Sequence, residues 1–101
     1  MPRLTRPMPV ALTDRITVPE DVLISRLEDE SVLLNLDNER YYGLDDVGTR
    51  MFSVLTSSAS VQSAWEKLTD EYDVDREVLR QDLVALIDKL LEQGLVEVSQ
   101  A

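Results

Sequence analysis

The sequence predicts an α+β fold, winged helix-turn-helix-like, in which a three-stranded antiparallel sheet is followed by three helices. Three observations carry this. Between Val22 and Gly43 the apolar residues fall in short β-branched and aromatic runs separated by charged turns, which is the pattern of strands. Beyond Asp45 the apolar spacing becomes helical, and each helical stretch is preceded by a residue suited to cap it. The stretch from Ser31 to Leu55 joins the two regimes, so that a small sheet runs directly into a helix.

The elements follow in order. Pro2, Pro7 and Pro9 share the first fifteen positions with Arg3, Arg6 and Arg15 and no apolar period, so residues 1–18 read as a flexible arm. An arm that docks on a partner or a second copy is the competing reading, since its arginines stand against an acidic remainder. Pro19 and Glu20 punctuate the chain before a first strand, Val22 to Leu27, and Glu28-Asp29-Glu30 makes a charged turn. The second strand, Val32 to Leu36, places Val32, Leu34 and Leu36 on one face and Leu33, Asn35 and Asp37 on the other. Asp37-Asn38-Glu39 is turn chemistry, and Arg40-Tyr41-Tyr42-Gly43 is a short aromatic third strand.

Asp45 or Asp46 offers an N-cap carboxylate to a first helix through Val47, Met51, Phe52 and Leu55. Gly48 inside it costs about 1 kcal/mol relative to alanine, which points to close packing on a neighbour. Ser60 caps a second helix with Val61, Ala64, Trp65 and Leu68, ending near Tyr72, and Asp75 caps a third from Arg76 to Gln93. Gly94 fits the left-handed position that stops a helix, and Leu95 to Val98 leaves as a short extended tail. The domain is therefore set at residues 19–98, with 99–101 as a tail.

On a helical wheel Leu79, Leu83, Leu86 and Leu90 of the last helix gather in one sector, a core stripe. Val84, Ile87 and Leu91, joined by Arg80, form a flank that reads either as a broader core face or as the lining of a groove beside the sheet. Arg80 either pairs with a carboxylate of an incoming peptide or is an ordinary surface arginine near Glu77. The third strand closes the meander as a sheet edge, and an edge offers unpaired backbone groups to an extended peptide. Of Tyr41 and Tyr42 one faces the core or groove and the other faces outward, although β-propensity alone also accounts for paired tyrosines.

Composition removes several function classes. The 101 residues hold ten basic and twenty acidic side chains, a net charge of -10, and neither histidine nor cysteine. There is then no zinc site of thiolates or imidazoles, no disulfide, no cysteine nucleophile and no histidine base. Asp45 and Asp46 are explained by capping, so no catalytic residue, metal or cofactor is expected and the chain is not expected to be an enzyme. An acidic chain is poorly suited to phosphate backbones, and a DNA-binding winged helix is the lesser alternative. No window approaches the roughly 20 apolar residues of a membrane span, and the N-terminus lacks a signal-type apolar stretch. The expected location is cytoplasmic.

Leu34-Asn35-Leu36 leading into Tyr41-Tyr42-Gly43-Leu44, Val47-Gly48 opening the first helix, and Asp82-Leu83 through Leu90-Leu91-Glu92-Gln93-Gly94-Leu95-Val96 together resemble the PqqD-like family, the peptide-chaperone domains also called RiPP recognition elements. The resemblance runs from about Val22 to Val96. It implies a non-catalytic adaptor that binds the leader region of a ribosomally made precursor peptide, added as a further strand beside the third strand and against the third helix. Carried over, one wall of that cleft is Glu39, Arg40, Tyr41 and Tyr42, and the other is Arg80, Val84, Ile87 and Leu91. The implied partner is a leader peptidase of transglutaminase-like type, or another modifying enzyme, with lasso-peptide biosynthesis favoured over the radical enzyme of quinone-cofactor biosynthesis.

Overall fold

The structure, a computed structural model, describes residues 10–100. The first nine residues of the predicted arm and Ala101 lie outside the described residues. The elements are β1 (Asp14–Thr17), β2 (Val22–Leu27), β3 (Glu30–Asn35), β4 (Tyr41–Leu44), α1 (Asp46–Ser57), α2 (Val61–Glu71), α3 (Arg76–Glu92) and β5 (Glu97–Gln100). The architecture is mixed α+β, with three helices and two antiparallel sheets.

Strands β2, β3 and β4 form a meander in that spatial order, so β2 and β4 are both edges. Leu23, Leu34 and Tyr41 lie in one cross-strand row, and Ser25, Val32 and Gly43 in the next. These rows face away from the helices. The inward face carries Ser31, Leu33 and Leu44, all buried, so Leu33 and Asn35 are the core side of β3 while Val32 and Leu34 look outward. The outward face is unusually apolar, with Leu23, Leu27 and Tyr41 between 53% and 71% exposed.

The second sheet is a departure from the predicted single sheet. Residues 14–17, assigned to the arm, pair as β1 with β5, which contains most of the predicted tail, in the register Ile16 opposite Val98. Ile16 is the anchor: it is 1% exposed and joins the core, while Val10, Leu12 and Val18 pack around it. The Leu12 carbonyl also accepts from the Gln62 amide at 2.9 Å, tying this segment to α2.

The helices begin where the capping residues place them. Asp45 Oδ1 accepts from the Gly48 amide at 2.8 Å, Ser60 Oγ from the Ser63 amide at 3.1 Å, and Asp75 Oδ1 from the Glu77 and Val78 amides. Each satisfies helix-end donors that have no partner within the helix. Gly48 sits in the first turn of α1, where a Cβ would come within 3.2 Å of Leu44 Cδ2, so β4 and α1 meet at a close approach. Trp65 Nε1 donates to the Arg76 carbonyl at 2.9 Å and the Arg76 guanidinium stands 4.6 Å from the Trp65 ring centre, fixing α2 against the start of α3.

The core lies between the inward sheet face and the helices. It takes Met51, Phe52, Val54 and Leu55 from α1, Val61, Ala64 and Leu68 from α2, and Leu79, Leu83, Ile87 and Leu90 from α3. The α3 stripe therefore differs from the predicted one by a single exchange. Ile87 is fully buried and Leu86 is only half-buried, which turns the wheel toward Ile87 and brings Leu86 to the surface between α3 and β4.

Candidate functional site

The open edge of β4 is set by hydrogen-bond alternation. The Asn35 amide donates to the Arg40 carbonyl at 2.8 Å. Since bonded and non-bonded pairs alternate along an antiparallel ladder, Leu33 with Tyr42 and Ser31 with Leu44 are the next bonded pairs. Tyr41 and Gly43 then turn their own N–H and C=O groups away from β3, toward the free edge. Gly43 has nothing within 4 Å of where a Cβ would stand, so the outward sheet face beside this edge is open there.

Alongside that edge runs a groove of about 380 Å³ between β4, the start of α1 and α3. Tyr42 forms its β4 side, half-buried and packed on the core, whereas Tyr41 is 71% exposed on the outward sheet face. Val47, Gly48 and Met51 bring α1 to the groove, with Asp45 at the entrance of that helix. The α3 side is Asp82, Ala85, Leu86 and Lys89. Its middle is apolar, from Met51, Ala85 and Leu86, and its ends are charged.

A cluster of polar contacts holds the two walls together at one end. The Asn35 side chain, 7% exposed, donates through Nδ2 to the Gly94 carbonyl at 2.6 Å and accepts through Oδ1 from the Asp37 and Asn38 amides at 2.8 and 3.3 Å. Asn38 Nδ2 donates to the Gln93 carbonyl at 3.4 Å, and Arg40 Nη1 donates to Gln93 Oε1 at 3.3 Å. Gly94 takes φ +71, the left-handed conformation that favours glycine, and a Cβ there would lie 3.1 Å from the amide nitrogens of both Asn35 and Asn38. The β3–β4 turn is thereby bound to the end of α3, so the C-terminal end of α3 meets the start of β4.

The predicted site residues divide accordingly. Arg40, Tyr41 and Tyr42 lie on or beside the edge, and Glu39 holds the turn before it with φ +62 and its amide on the Asn35 carbonyl at 2.8 Å. The α3 residues named with them lie elsewhere. Ile87 is a core residue, and Arg80, Val84 and Leu91 occupy the opposite flank of the core stripe from Leu86, outside the groove. Leu91 packs against the core from that side. Arg80 makes a two-pronged ion pair with Glu77, whose carboxyl it holds below the usual glutamate range through the hydrogen bonds it donates. The α3 residues that line the groove, and that the sequence did not single out for a site, are Asp82, Ala85 and Lys89, together with Leu86, which was expected in the core. Their signal was present as the other border of the same apolar arc.

Among the described residues, no group of three or more Asp or Glu side chains is arranged to hold a metal ion. No described helix is long and apolar enough to cross a membrane.

Comparison with known proteins bears on these features. Residues 30–96 match the family described as coenzyme PQQ synthesis protein D (PqqD). The chain belongs to the PqqD family. The matched segment begins at β3 and ends just before β5, so it contains β4, α1, α3 and the whole groove. Among solved structures the chain is similar to TbiB1 in complex with the TbiA(beta) leader peptide, at 32% identity and a TM-score of 0.74, covering 80% of this chain and 94% of that one. It shares its fold with a lasso peptide synthetase B1 complexed with the leader peptide, at 24% identity and a TM-score of 0.73, covering 82% of this chain and 98% of that one. No curated protein sequence matches significantly.

Proposed function

We propose that this protein is a non-catalytic adaptor that binds the leader segment of a ribosomally made precursor peptide. The leader adds as a strand to the open edge of β4 and lays alternate side chains into the groove against α3. The observation that carries this reading is the pairing of an edge strand, on which Tyr41 and Gly43 turn their backbone groups away from β3, and a groove with an apolar middle directly beside it. Its support from outside the chain is the likeness to TbiB1, a protein solved with a leader peptide bound. Strand addition suits such a ligand because backbone bonds supply affinity and alternate side chains supply selectivity.

Glu39, Arg40, Tyr41 and Tyr42 are the strand side of the proposed site, and Asp82, Ala85, Leu86 and Lys89 are its helix side. In this reading the β2–β4 sheet with α1–α3 serves as a winged helix-turn-helix-like unit turned to peptide binding, acting in the cytoplasm within lasso-peptide biosynthesis. Its partner is a leader peptidase, to which the adaptor delivers the precursor at raised effective concentration and in fixed register. A DNA-binding role finds no support. The chain carries a net charge of -10, and two of the three cations of α3 are engaged, Arg80 by Glu77 and Arg76 by the Trp65 ring.

The test is fluorescence anisotropy with a labelled synthetic leader, taken from the short precursor gene neighbouring this one. Saturable binding is expected, lost on Leu86→Asp and retained in Arg80→Glu. Absence of saturable binding up to high micromolar protein refutes the adaptor reading, and loss of binding in Arg80→Glu with retention in Leu86→Asp refutes the groove.

A further inference from the structure

The groove has an electrical direction as well as an apolar middle. The end of α3 is bound to the turn that precedes β4, through Asn35 on Gly94 and Arg40 on Gln93. Asp82, about three helical turns earlier, therefore lies toward the far end of β4, where the chain enters α1 through Asp45. Lys89 lies toward the near end, with Arg40 beyond it. Asp82 and Lys89 are both exposed, and neither makes an ion pair or a side-chain hydrogen bond among the described residues. They are seven residues apart on one helix, about 10 Å along its axis at 1.5 Å per residue, and Ala85 and Leu86 lie between them.

An extended strand presents every second side chain to one side, at about 6.8 Å per pair of residues. Three alternate side chains thus span about 13 Å, which the reach of the Lys and Asp side chains spans from one charged end of the groove to the other. A strand added to an all-antiparallel sheet runs antiparallel to its edge by preference, because parallel pairing is slightly less stable per residue. Such a peptide enters at the Asp45 and Asp82 end and leaves at the Lys89 and Arg40 end.

We infer that Asp82 and Lys89 are specificity-determining residues that select peptides with a basic, then an apolar, then an acidic side chain at alternate positions from N- to C-terminus. The inference rests on the adaptor reading and deepens it. The basic side chain faces Asp82 and Asp45, the apolar one lies against Met51 and Leu86, and the acidic one faces Lys89. The protein's net charge of -10 by itself attracts any cationic peptide. The order of charges along the strand is what this pair reads, and it fixes direction and register together.

The experiment uses two synthetic peptides of identical composition, one with Lys-x-Leu-x-Glu at its centre and one with Glu-x-Leu-x-Lys, competing against the labelled leader for the full chain. The wild-type protein is expected to prefer the first by about fivefold to tenfold at low salt, as for two surface ion pairs turned from attraction to repulsion. The preference shrinks as salt is raised, because exposed charges are screened. In the double variant Asp82→Lys, Lys89→Glu, both changes being at exposed positions, the order of preference reverses while helicity by circular dichroism is unchanged. Equal competition by the two peptides, the opposite preference in the wild type, or no competition by either while the leader still binds overturns the charge code and leaves the adaptor reading standing. Failure of the leader itself to bind overturns the adaptor reading, and the charge code with it.

Discussion

Replacing Asn35 by alanine tests the contact that sets the spacing of the groove walls. Asn35 is 7% exposed and makes three hydrogen bonds, one to the Gly94 carbonyl and two from the Asp37 and Asn38 amides. Asp37 and Asn38 are exposed, so water replaces part of what their amides lose, at a net cost of about 0.5–1 kcal/mol each. The Gly94 carbonyl is partly buried and is left without its donor, which costs about 1–3 kcal/mol. The total is about 2–5 kcal/mol, and at about 4–8 °C per kcal/mol for a domain of this size the midpoint falls by at least about 8 °C. Asn35→Asp separates the parts. It keeps both acceptor bonds but sets a carboxylate against the Gly94 carbonyl, so it is expected to be at least as destabilising as alanine at neutral pH. Below the usual aspartate range its carboxyl regains a proton to donate, and its deficit relative to wild type narrows. Thermal and urea unfolding followed by circular dichroism, with the slope of the urea transition unchanged, measure this. Midpoints within about 2 °C of wild type for both variants, a shift worth well under 1 kcal/mol, refute the view that Asn35 fastens the β3–β4 turn to α3.

Three further outcomes are expected. Gly94→Ala places a Cβ at a residue with φ +71 and beside two amide nitrogens, and costs at least about 1–2 kcal/mol in urea unfolding, with a deficit below 0.5 kcal/mol counting against a strained left-handed cap. Tyr41→Pro removes an outward-facing amide without touching a β3–β4 ladder bond, so leader affinity by anisotropy falls about fivefold or more while the thermal midpoint moves little; unchanged affinity excludes strand addition at this edge. Arg50 Nε and Nη2 hold Glu71 at 2.9 and 2.5 Å, linking α1 to α2, and the hydrogen bonds of Arg50 lower the Glu71 carboxyl below the usual range. A carboxyl lowered by folding stabilises at neutral pH and loses that contribution as pH falls through its folded value, so the unfolding curves of wild type and Glu71→Gln are expected to converge in acid; a constant gap from pH 7 to pH 3 argues against the pair.

Local chemistry was legible in the sequence because local chemistry determines it. Asp45, Ser60 and Asp75 cap the three helices and Gly94 ends the last one, since each acts on backbone groups within a few residues of itself. Strand β2 spans Val22 to Leu27 as its β-branched run suggests. The β1–β5 ribbon was not legible, because each strand is four residues long and the pairing joins Ile16 to Val98 across most of the chain, with nothing in either segment to name the other. The α3 face was legible only to within one wheel position. Leu86 and Ile87 are both apolar and adjacent, so periodicity gives the width of the apolar arc, while the position of the sheet decides which border is core and which lines the groove. The cavity beside β4 is lined by Asp82 and Lys89, on the other border of the arc from Arg80 and Val84, and so differs from them in electrical character.

The β1–β5 ribbon also brings the two outermost strands of the chain together at one place. Asp14 lies directly across from Gln100 in that ribbon, and no residue of either strand lines the groove. Chain ends that meet at one corner can be joined and the chain reopened elsewhere with little disturbance. A circular permutant that links residue 100 to residue 14 and opens in the turn at Glu28 and Asp29 therefore keeps every wall of the groove intact. In the proposed adaptor such a permutant is expected to bind the leader as the original chain does.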